Sequence, residues 1–412
     1  MSAGRSNSQS LSYGNGQTMQ FHLDPGRLAK QHQSPEVCTD FAAQLRQQFV
    51  SPQDFPPLEL AVVPDDPIVI VLERHTPGAA DIVSELWKVF ERRSVKPEDV
   101  LILQPASWKP GALPDPRSGL PEKVQKSVRW QIHDATDKKR EAYLANSASE
   151  ERIYLAREVI DAGLVLPVGP VAFDPLLGIR GAASAIFPGL SNVDAMSKTR
   201  GQEHSELSPE DDRPLRQLQE EVAWLLGVQV GVQVLPAGQG QPAGVMVGEL
   251  QSVSSSSCKW LQKHWQVELR ERCEMVVAAV DEEDSSGTNW ESIGAALQAA
   301  RSLVQRGGKI VLLTNLNAEP TEGFHLLRQC ETPREALKPL RLECPPDLIP
   351  ASRLASAADW AQIYLLSRLD SSVVESLFLT PVDSESEAVR LIEQGGAQVL
   401  LNSAQNCFGY VR

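Results

Sequence analysis

A chain of 412 residues with 42% hydrophobic and 22% charged residues is long enough for two globular domains and for a sizeable core. Its formal net charge of −14 argues against nucleic acid, which requires a basic footprint, and against an anionic membrane surface. The polar opening MSAGRSNSQSLSYGNGQ lacks the apolar core of a signal peptide, and no apolar run approaches the ~20 residues of a membrane span.

Residues 1–20 read as a flexible N-terminal segment. The first strong element is IVIVL (68–72), a buried strand. A helix over about 78–92 follows, with Ile82, Leu86, Val89 and Phe90 on one face, and VLIL (100–103) is the next strand. Strand, helix and strand at this spacing form a βαβ unit, hence a parallel sheet. After a Pro/Gly-rich loop come a helix near 121–129 and RWQIHDATD (129–137), a strand ending in a polar turn. YLAREVIDAGLVLPVG (154–169) predicts a short helix and a strand, although Pro167 argues for an edge position or an early end.

SELSPEDDRP (205–214) predicts a solvated linker before a helix over 213–226. VQVGVQVL (228–235) and AGVMVG (243–248) read as a hairpin, and the serine run 252–257 precedes a helix at 258–264. A second α/β unit starts at MVVAAV (275–280). Its helix spans about 289–306, with Thr288 and Glu291 as a capping box and Gly307 and Gly308 as the stop. KIVLLT (309–314) is its return strand, and the alternation continues to QVLL (398–401). The predicted division is therefore 21–272 and 273–402, with 403–412 returning to the first domain.

Standard motifs of catalysis are absent: there is no GxSxG, no GxxxxGK[ST] and no HExxH. The seven histidines never fall at i, i+4, so local metal-ligand spacing is missing. Six scattered cysteines without a CxxC pair read as reduced thiols of a cytoplasmic protein. Three loops remain open to two readings each. GIRGAASA (178–185) is either a phosphate-accepting βα turn or a tight turn of small residues packing a helix against a sheet. DEED (281–284) is either a cation site or a solvated lead into a helix cap. LERHT (72–76) ends a strand where open α/β sheets place ligands, and reads equally as surface. EHSE (203–206) reads as solvated charge.

The order of these motifs resembles the nickel-pincer lactate racemase, or LarA-type, family. The likeness rests on YGNGQTMQFHL (13–23), IVIVLERHTP (68–77), QIHDATD (131–137), AREVIDAGLVLPVGPV (156–171), GIRGAASAIFPGLSNVDAM (178–196) and WESIGAALQAARSLVQRGGKIVLL (290–313). It implies two α/β domains with parallel-type sheets and a crevice between them. The family attaches a nickel-pincer nucleotide cofactor to a lysine of the Gly-rich loop and racemises 2-hydroxy acids with paired histidines.

This chain departs from that pattern at each such position. Ser184 stands for the lysine, Asp174 for an upstream histidine, Trp108 for a second and Arg200 for a third. Leu72 and His75 replace an aspartate and an arginine, while Trp290, Glu291 and Gly294 replace a Tyr-Gln pair and a lysine. The expectation is a divergent, non-catalytic member with no cofactor and no metal. Its crevice would take a small carboxylate or phosphate through His75, Arg180, Ser184 and Arg200, or a partner protein. The alternative is an active racemase or epimerase holding the cofactor without a covalent link. A third reading, a structural subunit, would leave Trp108 and Trp290 as apolar filling.

Overall fold

The computed structural model describes residues 8–105, 113–198, 207–281 and 288–412. The chain forms two compact units: a central unit of residues 36–262 and a terminal unit made of 1–35 with 263–412.

The first three strands, β1 (Ser8–Tyr13), β2 (Gln17–His22) and β3 (Leu28–His32), belong to the terminal unit. The described part of the opening segment is therefore ordered structure, contrary to the expectation for residues 1–20. The physical reason is an alternating pattern. Leu11, Tyr13, Met19 and Phe21 alternate with polar residues on either side of Gly14–Gly16, so β1 and β2 pair antiparallel and bury one face.

The central unit is built on β4 (Ile68–Leu72), β5 (Val100–Gln104), β6 (Arg129–Ile132), a β7 (Glu141–Asn146)–β8 (Arg152–Ala156) hairpin, and β9 (Leu164–Pro170). A second small hairpin, β10 (Ala172–Asp174) and β11 (Gly178–Arg180), precedes the antiparallel pair β12 (Val230–Pro236) and β13 (Pro242–Glu249). The main sheet has the order β13-β12-β9-β4-β5-β6 and is parallel apart from β13. IVIVL is apolar throughout because both faces are covered. Ile68, Ile70 and Leu72 meet the helix Ala79–Arg92 through Ile82, Leu86 and Phe90. Val69 and Val71 face the opposite way, onto Ile153, Leu155, Ile186, Phe187 and Val222.

Pro167 lies in neither an edge strand nor an early end, since β9 is central and runs to Pro170. The amide of Glu73 donates to the Val168 oxygen at 2.8 Å, so the alternating pleat turns the Pro167 nitrogen toward β12. There the register begins only at Val168, opposite Val232. The serine run is also not outside its helix, which spans Leu250–Trp265. Leu250, Val253, Ser257, Leu261 and Trp265 are buried at helical spacing, and Ser257 Oγ satisfies itself on the Ser254 oxygen at 3.0 Å.

In the terminal unit, β14 (Gln266–Leu269) precedes β15 (Cys273–Ala279), β16 (Val304–Leu313), β17 (Gln362–Leu366), β18 (Thr380–Val382), β19 (Gln398–Leu401) and β20 (Phe408–Val411). Its main sheet, β18-β17-β16-β15-β19-β3, is parallel throughout, and β1 and β2 pack beneath it through Leu11, Met19 and Phe21. Two boundaries differ from the sequence reading. The division falls at 262/263 rather than at 272/273. The C-terminal β20 pairs with β14 and so stays in the terminal unit instead of returning to the first.

The helix Trp290–Leu303 is capped by Asn289, not Thr288, because the Asn289 carboxamide accepts from the Ser292 amide at 3.0 Å. It stops before Val304, which already pairs in β16, and not at Gly307 and Gly308.

Candidate functional site

In the central sheet the chain moves from β4 outward through β5 to β6, then returns to the other side of β4 with β9. The ends of β4 and β9 therefore form a topological switch point, where open α/β sheets leave a crevice between diverging connections. Glu73 follows β4 at this point. His75, at φ 56°, turns the chain away, and Thr76 Oγ1 donates to the Glu73 oxygen at 2.7 Å. β9 delivers the β10–β11 hairpin, Gly181 and the 3-10 turn Ala182–Ala185 to the same place.

Close approach here requires glycine. A Cβ at Gly169 would stand 2.9 Å from the Glu73 Cβ, and one at Gly181 would stand 2.6 Å from the Gln233 Nε2. Gln233, buried in β12, accepts from the Ala182 amide at 3.1 Å through its side-chain oxygen and donates to Ser254 Oγ at 3.3 Å. The Gly-rich loop is thus fastened to the sheet by one carboxamide.

The charged groups at this point form one set. Arg180 Nη1 lies 3.6 Å from Glu73 Oε1, with the two side chains 32% and 17% exposed. Burial pushes the Glu73 carboxyl above the usual carboxylate range; Arg180 opposes that shift and Asp174 adds to it. Asp174 accepts from the amides of Leu176 and Leu177 at 2.8 and 2.7 Å, closing the β10–β11 turn. Ser184 Oγ donates to the Gly181 oxygen at 2.6 Å.

Of the residues singled out in the sequence, Arg180, Ser184 and Asp174 come together on this loop, and Glu73 joins them. Glu73 was visible only as a member of LERHT; its position one residue past a buried strand was the available signal. Leu72 is a core residue and not a site residue, since the pleat turns it into the cluster with Ile82 and Leu86. His75 is exposed at the turn. Arg200, Trp108 and EHSE lie outside the described residues.

Trp290, Glu291 and Gly294 belong to the terminal unit. Trp290 is 3% exposed, packs on Phe324 with ring centroids 4.3 Å apart and donates to the Ala318 oxygen at 3.0 Å, so it is core filling. Glu291 is exposed, and Gly294 lets Pro350 approach.

The His133–Asp134 pair is structural as well. His133 is buried with Nε2 2.9 Å from the Ser191 oxygen, while Asp134 accepts from the Thr136 amide and hydroxyl at 2.9 and 2.7 Å. Asp281, read as part of a solvated or cation-binding loop, is 3% exposed and accepts from Ser403 Oγ at 2.6 Å and from the Gln405 carboxamide. The remainder of DEED lies outside the described residues. Among the described residues no three His, Cys, Asp or Glu side chains converge in a metal-binding arrangement.

Residues 13–208 match the family model of the lactate racemase N-terminal domain. That segment of the chain is similar to a lactate racemase N-terminal domain, LarA-like in character. The fold of the chain is similar over its whole length to the lactate racemase apoprotein of Thermoanaerobacterium thermosaccharolyticum. That match has a TM-score of 0.81 at 14% identity and covers 98% of this chain and 99% of the other. A protein of Thermotoga maritima is similar with a TM-score of 0.63 at 10% identity, covering 90% of this chain and 97% of that one. No curated protein matches.

The family's nickel-pincer cofactor does not fit the side chains at this loop. Position 184 offers a hydroxyl in place of an amine, and that hydroxyl is already bonded to the loop's own backbone. Asp174 is engaged in a turn, and Arg180 is paired with Glu73.

Proposed function

We propose that this LarA-like chain is a non-catalytic member of its family, whose Gly-rich loop serves as a fixed structural element. The observation that carries this reading is the bond from Ser184 Oγ to the Gly181 oxygen, at the position where the family resemblance expects a lysine. A hydroxyl supplies no amine for a covalent cofactor link, and the neighbouring Asp174 is held by two backbone amides. The test is expression in a host able to build the nickel cofactor, followed by intact mass, elemental analysis and a lactate racemisation assay. The expected result is an unmodified mass, no stoichiometric nickel and no racemisation. A cofactor-sized mass addition, or about one nickel per chain with turnover of D- or L-lactate, overturns the reading.

One observation favours a residual ligand-binding role. Arg180 is one-third exposed, and its 3.6 Å separation from Glu73 is longer than a hydrogen bond. A small carboxylate or phosphate competing with Glu73 for that guanidinium would be held bidentately. Thermal-shift measurements with lactate and phosphate test this reading; a stabilisation that survives Arg180→Ala would refute it. The six cysteines are free, which supports a reducing, cytoplasmic setting. No described helix is long and apolar enough to cross a membrane.

A further inference from the structure

The segment 207–213, whose acidic and proline-bearing sequence predicts a solvated linker, is instead packed against the Gly-rich loop: Pro209 is buried and Arg213 is 3% exposed. Arg213 is the N-cap of the helix Pro214–Leu225, and Arg216 lies in its first turn. Each guanidinium is forked between two separate segments. Arg213 Nη1 donates to the Pro175 and Leu176 oxygens at 3.3 and 3.4 Å, and its Nη2 to the Leu207 and Ser208 oxygens at 3.5 and 3.2 Å. Arg216 Nη1 donates to the Leu177 and Pro209 oxygens at 3.4 and 3.0 Å, and its Nη2 to the Glu210 and Asp211 oxygens at 3.1 and 2.9 Å. Every carbonyl from Leu207 to Asp211, and every carbonyl of the β10–β11 turn 175–177, therefore meets one of these two side chains.

Two observations set this arrangement apart from ordinary helix packing. The macrodipole disfavours cations in the first turn of a helix, so the helix they begin does not account for the two arginines. The segment also reaches the glycine itself. Gly178 has φ 77°, and a Cβ there would stand 2.3 Å from the Pro209 oxygen and 2.8 Å from Arg213 Nε. The first glycine of the Gly-rich loop is thus covered by the chain's own backbone. Residues 207–211 belong to no strand. Apart from the arginine forks, Asp211 closes their turn by accepting from the Ser208 amide at 2.7 Å, and Glu210 accepts from Gln262 Nε2 at 2.6 Å. Ser208, Glu210, Asp211 and Asp212 are exposed. A segment with so little buried apolar surface opens independently of the core.

We infer that residues 207–211 form an autoinhibitory strap, clasped by Arg213 and Arg216, that closes the Gly-rich turn against small anions. The inference rests on the reading of Arg180 as a residual carboxylate or phosphate site. Closed, the strap covers Gly178 at the start of the strand that carries Arg180, and it brings three carboxylates, Glu210, Asp211 and Asp212, with it. The apparent affinity for an anion is lowered by the fraction of molecules that are open, so loosening the clasp raises it in proportion. Lysine keeps the charge of arginine but has no planar fork, so Arg→Lys loosens the clasp without changing the net charge.

The test compares the full chain with its Arg213→Lys/Arg216→Lys variant by hydrogen exchange and by calorimetric titration with inorganic phosphate. The expected result is an at least tenfold loss of protection confined to peptides covering 175–181 and 207–213, with the β4 and β5 amides unchanged. Phosphate should bind the variant at least tenfold more tightly than the wild type, and Arg180→Ala in the variant background should abolish that gain. Should the double variant fail to fold by circular dichroism, Arg216→Lys alone, at a side chain 21% exposed, takes its place, with both effects at least threefold. Unchanged protection, a gain untouched by Arg180→Ala, or equal phosphate affinity in wild type and variant overturns the strap and leaves the Arg180 reading to its own test. Loss of protection that spreads to β4 and β5 makes the arginines supports of the whole unit and likewise overturns it. Phosphate binding in neither protein, with protection lost locally, overturns the Arg180 reading and with it the inhibitory role of the strap.

Discussion

Replacing Gln233 by leucine isolates what fastens the Gly-rich loop to the sheet. The side chain is 1% exposed, and its oxygen is the acceptor for the amide of Ala182, itself fully buried. Leucine keeps most of the volume but offers that amide nothing. A buried donor left without a partner costs about 1–3 kcal/mol. Ser254 loses only a 3.3 Å bond from a half-buried position and regains water, so its share is small. Added apolar burial returns a fraction, and the net expectation is a loss of about 1–2 kcal/mol. For a domain of this size that is a fall in melting temperature of roughly 2–8 °C.

Urea unfolding gives the free energy, and hydrogen exchange reads the Ala182 amide directly, which should lose protection by at least tenfold. The same geometry sets a second arm. Gly181→Ala places a Cβ 2.6 Å from the Gln233 carboxamide and should destabilise the wild type. It should cost at least 1 kcal/mol less in a Gln233→Ala background, a non-additivity expected for residues that collide. If Gln233→Leu is neutral within about 0.5 kcal/mol with the Ala182 amide still protected, or if the two substitutions simply add, the tether assignment is wrong.

Other expected outcomes concern single features. Because burial raises the Glu73 carboxyl in the folded state, stability present below the ordinary carboxylate pKa is lost as pH rises through the raised value. Glu73→Gln should remove that part of the pH dependence, read as the difference in urea midpoints between pH 4 and 7; parallel curves would count against it. Ser184→Lys breaks the bond to the Gly181 oxygen and should cost about 0.5–1.5 kcal/mol in urea unfolding without conferring lactate racemisation. Gly294→Val drives a side chain into Pro350, whose Cα is 2.8 Å from the Cβ position, and should cost about 1–3 kcal/mol by calorimetry. Iodoacetamide should modify the exposed Cys344 first. It should spare Cys407, pushed well up by burial, and Cys273, pushed up to about 11, as peptide mapping by mass spectrometry would reveal.

Hydropathy by itself determined the local elements. IVIVL, VLIL, MVVAAV and KIVLLT are continuous apolar runs because each strand is covered on two faces, and such runs are strands whatever surrounds them. The helical stripe of Ile82, Leu86 and Phe90 and the β12–β13 hairpin were legible for the same reason, since their partners are near in sequence. The glycines of 178–189 likewise marked a loop of close backbone approach.

Tertiary pairing decided what distance in sequence conceals. β3 joins β19 across more than 360 residues, and the N-terminal hairpin covers the C-terminal sheet, so the opening segment belongs to the terminal unit. No local pattern carries that information, because edge pairing and face covering depend on where exposed apolar surface remains after the sheet has formed. The same holds at the site. The sequence presents Arg180 as a cation, but only the fold brings Glu73 to 3.6 Å of it, through the neighbouring register of β4 and β9.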